Sequence, residues 1–162
     1  MSRPERVTID MTVVIDLLEP DAERHADALK LLAMAEAGDV ELGIAPQGHL
    51  HDNPDDRVRE LRRRYPQVVF LELPQVAYLS EHTYPAPDLY LGNDDGKLAN
   101  AMRQVSVDEN DAWHVETHAV AGRDVFITDD DRLKKRIKRL NSEHGFTIDA
   151  MRLEEFVATR QR

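Results

Sequence analysis

Apolar residues recur along this chain in two kinds of block. Val7 to Ile9, Val40 to Ile44, Gln67 to Leu73, Val125 to Ile127 and Phe146 to Ile148 are short, largely β-branched or aromatic runs that predict strands. Between them the apolar positions fall at helical spacing. Thr12 to Leu18 predicts a short helix, broken by Pro20. Asp21 is placed to cap a long helix carrying Ala22, Ala26, Leu29, Leu32, Ala33 and Ala37, which Gly38 stops. Asn53 and Pro54 supply a cap and a first-turn proline for a helix from Asp55 to about Tyr65. Helical patterns return at Lys97 to Val105, Asp108 to Ala121, Asp131 to Leu140 and Leu153 to Thr159. Residues 74–96 hold too many prolines and glycines for a helix and have no clear period. They read as a long irregular insertion, with a strand around Val76 to Leu79. Strands alternating with helices imply parallel pairing and an α/β sandwich. The chain of 162 residues shows no repeat, low-complexity tract or linker, so one domain spanning 1–162 is expected.

The pattern also places acids. The strand Val125 to Ile127 runs into Thr128 and three aspartates, Asp129, Asp130 and Asp131. The first strand ends in Asp10, followed by Met11 and Thr12, and Asp111 lies in the first turn of the helix before the later strand. Parallel architecture can bring Asp10, Asp111 and Asp130 to the carboxyl edge of the sheet, where ligand sites of open sheets lie. Carboxylates gathered there repel one another and need a counter-charge. A hard divalent cation such as Mg²⁺ or Mn²⁺ takes oxygen ligands, can activate water and can offset charge on a phosphodiester. Any one of these aspartates alone is more commonly a helix or turn cap. It is the set that points to a metal.

Composition narrows the chemistry. With no cysteine, disulfides, thiol catalysis and Cys-based zinc sites are excluded. The formal net charge of −10 disfavours non-specific polyanion binding over the whole surface, so a nucleic-acid substrate would need a local basic patch. Two basic runs qualify: Arg62 to Arg64, and Lys134, Lys135, Arg136, Lys138 and Arg139, which follow the late acids on one helix. Contacts there would be salt-sensitive and largely blind to sequence; basic residues late in a helix also suit its dipole. No apolar run approaches the roughly 20 residues that span a membrane, and the residues from Met1 to Arg6 lack the apolar core of a secretory signal. A cytoplasmic protein without a membrane partner is expected.

The stretches VTIDMTVVIDLL, DAWHVETHAVAGRDVFITDDDRL and FTIDAMRLEEFV, in this order, resemble PIN domains. The resemblance implies a compact three-layer α/β/α sandwich with a mainly parallel sheet, and Mg²⁺- or Mn²⁺-dependent cleavage of phosphodiesters, usually RNA. Asp10 matches the family's first acid, Asp111 the third, and Thr128 with Asp130 its Thr-x-Asp pair; Asp129 is a further candidate for the fourth acid. Many small members are toxins of toxin–antitoxin modules and often dimerise, which makes an antitoxin and a second copy the implied partners. The family's second acid is usually a glutamate on the helix after strand two. Here Ala45 to Asn53 has none; Asp52 stands nearest, with His51 or His49 as less usual ligands. That departure keeps a second reading in play, a catalytically weakened PIN-like protein serving as a binding or assembly module.

His114 and His118 share a helical face with Asp111 but lack the glutamate that a zinc protease places directly after its first histidine. Glu116 comes one place too late, so a packing role is expected for both. Trp113 and Tyr65 are likewise expected to pack rather than stack on bases.

Overall fold

The computed structural model describes residues 3–45, 54–73 and 97–161. Five strands, β1 (Glu5–Ile9), β2 (Val40–Ile44), β3 (Phe70–Glu72), β4 (Val125–Ile127) and β5 (Ala150–Met151), form one sheet in the order β3-β2-β1-β4-β5. Every pairing is parallel. Seven helices are seen among the described residues: α1 (Met11–Leu18), α2 (His25–Glu36), α3 (Pro54–Arg64), α4 (Lys97–Gln104), α5 (Glu109–Val120), α6 (Asp131–His144) and α7 (Leu153–Arg160). The fold is a three-layer α/β/α sandwich.

Strand periodicity divides the core. Val7, Ile9, Val125 and Ile127 pack with Val13, Leu17, Leu31, Leu61 and Phe156 of α1, α2, α3 and α7. Phe126, from the opposite face of β4, packs with Met102, Val115, Leu133, Ile137 and Leu140 of α4, α5 and α6. Each fully buried Leu, Ile or Phe contributes on the order of 1.5–3 kcal/mol. Tyr65 and Trp113 are partly buried against these two clusters, one each, as their packing role requires. The Tyr65 hydroxyl donates to Leu17 O at 2.9 Å.

Several boundaries differ from the sequence pattern: β3 keeps only Phe70–Glu72 of the expected Gln67 to Leu73, α6 runs past Leu140 to His144, and two further ends change in kind. Asp21 does not cap the long helix. The chain after Pro20 makes turns closed by Ala22 N to Glu19 O and His25 N to Ala22 O, and α2 starts at His25 with Arg24 as its cap residue. The last strand is not Phe146 to Ile148 but Ala150–Met151. The side-chain amide of Asn141 donates to Ile148 O at 2.8 Å and accepts from Ile148 N at 3.0 Å, so Ile148 bonds to a side chain instead of a strand. The strand expected around Val76 to Leu79 lies outside the described residues. Gly38, Gly122 and Gly145 follow α2, α5 and α6 at φ +82°, +59° and +74°, the left-handed stop that glycine supplies without steric cost.

Candidate functional site

Strand β1 is central, with β2 on one side and β4 on the other. The helix following β1 packs on one face of the sheet and the helix following β4 on the other. A crevice therefore opens between their amino ends at the carboxyl edge, the switch point where open α/β sheets bind ligands. Ile9 lies opposite Ile127 in the β1–β4 register, so Asp10 and Thr128 emerge side by side. The Thr128 hydroxyl donates to Asp10 Oδ2 at 2.7 Å and accepts from Asp130 N at 3.2 Å. Thr128 is fully buried and Asp10 nearly so. One hydroxyl thus fixes two of the candidate acids relative to each other.

Both acids also cap helices. Asp10 Oδ1 accepts from Met11 N at 2.6 Å at the start of α1. Asp130 Oδ1 accepts from Arg132 N at 2.8 Å and Leu133 N at 3.1 Å at the start of α6. Helix amino termini favour negative charge, which lowers the cost of holding carboxylates here. Capping does not exhaust them, because a carboxylate offers about four lone-pair sites and the bonds above use two on Asp10 and two on Asp130.

Asp111 reaches the same edge from α5, which runs antiparallel to the β4 it precedes. Burial, then the charges of Asp10, Asp130 and Asp108, push its carboxyl up to about 6; Arg136 of α6 opposes them. The three aspartates therefore lie within each other's electrostatic reach, and Asp111 bears the repulsion. His114, one turn further on, is buried. Burial depresses its affinity for a proton, and the charge of Asp10 pulls the other way. His118 packs as expected: its Nδ1 lies 2.8 Å from the Thr8 hydroxyl and its ring meets Phe126 edge-on. Burial, reinforced by Arg123, holds its pKa down to about 4, so it is neutral in the core.

Asp129 faces elsewhere. Its Oδ2 lies 3.0 Å from Arg24 Nε, and its Oδ1 accepts from Leu153 N at 3.4 Å. The same Nε donates to Asp16 Oδ2 at 3.1 Å. Arg24 thus bridges two buried carboxylates, one from α1 and one from the β4–α6 connection. Burial first, and Asp16 in addition, raise the Asp129 pKa, with Arg24 opposing. The Asp129 amide also donates to the Thr12 hydroxyl at 3.4 Å. Asp52, His51 and His49 lie outside the described residues.

Comparison with protein-family models, with curated proteins and with solved structures finds no match. The function therefore rests on the chain's own geometry. Among the described residues no group of three or more His, Asp or Glu side chains is set to hold a metal ion. The chemistry of the switch-point donors still fits a hard divalent cation: three carboxylates, oxygen donors throughout, with Asp111 pushed up to about 6, a rise that a bound cation would oppose.

Of the expected basic residues, Lys134, Lys135 and Lys138 line a groove between α6 and β5. Lys134 is also paired with Glu155 at 3.1 Å. Arg139 turns to Glu143 along its own helix, at 2.8 Å, and does not line the groove. Sequence reasoning did not single out Asp16 or Arg24, and it named Arg136 only as one member of a basic run. Arg136 sits in a basic run whose members look alike until the helix face is known. Asp16 had a readable signal, a carboxylate in the otherwise apolar run VVIDLL of α1. Arg24 had none, because its partners lie 8 and 105 residues away in the sequence.

Proposed function

We propose that the chain is a PIN-like, divalent-metal-dependent endoribonuclease. One observation carries this reading: Asp10 and Asp130 emerge together at the switch point, joined through the Thr128 hydroxyl, and their charges add to burial in pushing Asp111 up to about 6. Asp10, Asp111 and Asp130 would hold Mg²⁺ or Mn²⁺. When bound, the cation supplies Lewis-acid stabilisation of charge on the phosphodiester and favours ionisation of the attacking water. Thr128 orients Asp10 through its hydroxyl and Asp130 through that residue's amide. Arg136 places positive charge beside the acids, where a substrate phosphate would gain from it. Lys134, Lys135 and Lys138 on α6 continue that positive field away from the acids and would contact the RNA backbone. The toxin role, an antitoxin and a homodimer belong to this reading as consequences of the resemblance.

The test is cleavage of RNA with Mn²⁺, set beside Asp10→Asn and Asp111→Asn. Each substitution should lower the rate by at least a hundredfold with the fold intact by circular dichroism. Cleavage that survives both removes the assignment.

A second reading, a PIN-like binding or assembly module without catalysis, is favoured by the absence of a gathered three-ligand group among the described residues. It predicts no cleavage of a broad RNA panel and no rise in melting temperature on adding Mn²⁺, whereas a cation bound only by the native state must raise it.

A further inference from the structure

The groove between α6 and β5 has walls of opposite character and a volume of about 440 Å³, within the roughly 300–1,000 Å³ of small-molecule sites. One wall carries Lys134, Lys135 and Lys138, the last lying four and three residues beyond the first two and so beside both on the helix. Lys134 is committed to Glu155, but Lys135 and Lys138 are exposed and form no ion pair among the described residues. Two ammonium groups side by side, with Asp131 and Asp149 in the same groove but neither in an ion pair with them, stand out in a chain of net charge −10. The floor is apolar, made by Ile137, Ile148 and Ala150. Asn141 holds the Ile148 backbone through both of its amide atoms, so that part of the floor is fixed in place. Asp149, an exposed carboxylate, also lines the groove; it accepts hydrogen bonds and repels phosphate.

A ligand matching all three features has an anionic end, a flat apolar-faced middle and hydroxyl donors. Inorganic phosphate would leave the floor unused, and a purely apolar ligand would leave the lysines unused. We propose that this groove binds a ribonucleotide, with its phosphate on Lys135 and Lys138, its base against Ile137, Ile148 and Ala150, and its ribose hydroxyls toward Asp149. Asp131 lines the groove and directly follows Asp130, so the groove begins beside the acids and continues along α6. The inference rests on the nuclease reading for the source of the nucleotide: it is the residue of the RNA strand next to the cleaved bond.

The experiment titrates the full chain with 5′-AMP in EDTA while following methyl resonances by NMR. Saturable shifts at Ile137, Ile148 and Ala150 are expected. Lys135→Glu with Lys138→Glu should raise the Kd at least tenfold; both side chains are exposed, so the fold is left alone. Asp149→Ala, which removes the acceptor, should abolish the preference for 5′-AMP over its 2′-deoxy analogue. Inorganic phosphate or an acidic peptide binding as tightly as 5′-AMP overturns the proposal, and so does unchanged affinity in the double variant. Asp10→Asn separates the two readings, since it should stop cleavage and leave 5′-AMP binding intact. Binding without any cleavage by the native chain supports the groove and sinks the nuclease; cleavage without 5′-AMP binding does the reverse.

Discussion

Two sets of buried or half-buried carboxylates sit at the carboxyl edge of this sheet, and they are compensated differently. Asp16 and Asp129 share the guanidinium of Arg24, at 3.1 and 3.0 Å. Asp10, Asp111 and Asp130 have helix amino termini, a threonine hydroxyl and the more distant charge of Arg136. In both sets burial raises a carboxyl pKa, but Asp129 meets one like charge, Asp16, against Arg24, whereas Asp10, Asp130 and Asp108 all bear on Asp111. Taking charge out of water costs several kcal/mol unless a partner follows it. The first set carries its partner in the chain. Under the proposed function the second leaves that place to a divalent cation from solution, and that would separate a structural clamp from a site.

Breaking the clamp should have the largest effect. Arg24→Ala leaves two buried carboxylates facing each other, and we expect a loss of about 2–4 kcal/mol in urea unfolding, below the upper range for buried pairs because Arg24 is about a third exposed. Asp129→Asn added to Arg24→Ala should restore part of it. A loss under about 0.5 kcal/mol would show that the two sets do not differ in this way.

Removing one acid of the second set should do the opposite. The folded-state pKa of Asp111, about 6, lies above its ordinary 3.8, so the metal-free native chain keeps a proton that the unfolded chain has lost. The stability this confers is fully present below about 3.8 and is lost as pH rises through about 6. Asp111→Asn has no such loss. Measured from pH 4 in EDTA, it should gain on the native chain by about 1–2 kcal/mol by pH 7.5, allowing for solvent screening of a half-buried group. The same variant should lose any Mn²⁺-induced rise in melting temperature. Thermal scans from pH 4 to 8, with and without Mn²⁺, read both effects, and a destabilised variant at pH 7.5 in EDTA would contradict the repulsion.

The smallest effect belongs to the hydroxyl that joins the acids. Thr128→Val removes the donor to Asp10 and the acceptor for the Asp130 amide, at a cost of about 1 kcal/mol. Thr128→Ser should recover most of it. Equal stability for the valine and serine variants would separate Thr128 from the cluster.

The buried strands were legible because Val7 to Ile9, Val40 to Ile44 and Val125 to Ile127 are compact apolar runs bounded by polar residues, and their alternation with helices carries the parallel topology with it. Asp10 and Asp130 were legible as strand-end acids for the same reason. What could not be read depended on contacts between distant residues. Arg24, at the start of α2, is paired with Asp16 and Asp129, and Ile148 is bonded by Asn141 rather than by a strand. Arg136 differs from Lys135 only by the helix face it occupies, which no local pattern within a basic run reveals.

The Asn141 contact reaches beyond the boundary of β5. With Asp149 O and Met151 O bonded to β4, the outward-facing residues on this rim of the sheet are Ile148, Ala150 and Arg152. Asn141 covers the first and the Glu155 carboxylate accepts from the amide of the third, leaving Ala150 alone between them. On the opposite rim Arg62 donates to Phe70 O at 3.2 Å. A lone uncovered residue is too short a template for another chain's strand. Edge-to-edge association is therefore discouraged at β5 by side chains standing in for a neighbour, and a molecule approaching that flank of the protein meets lysines and isoleucines rather than open main chain.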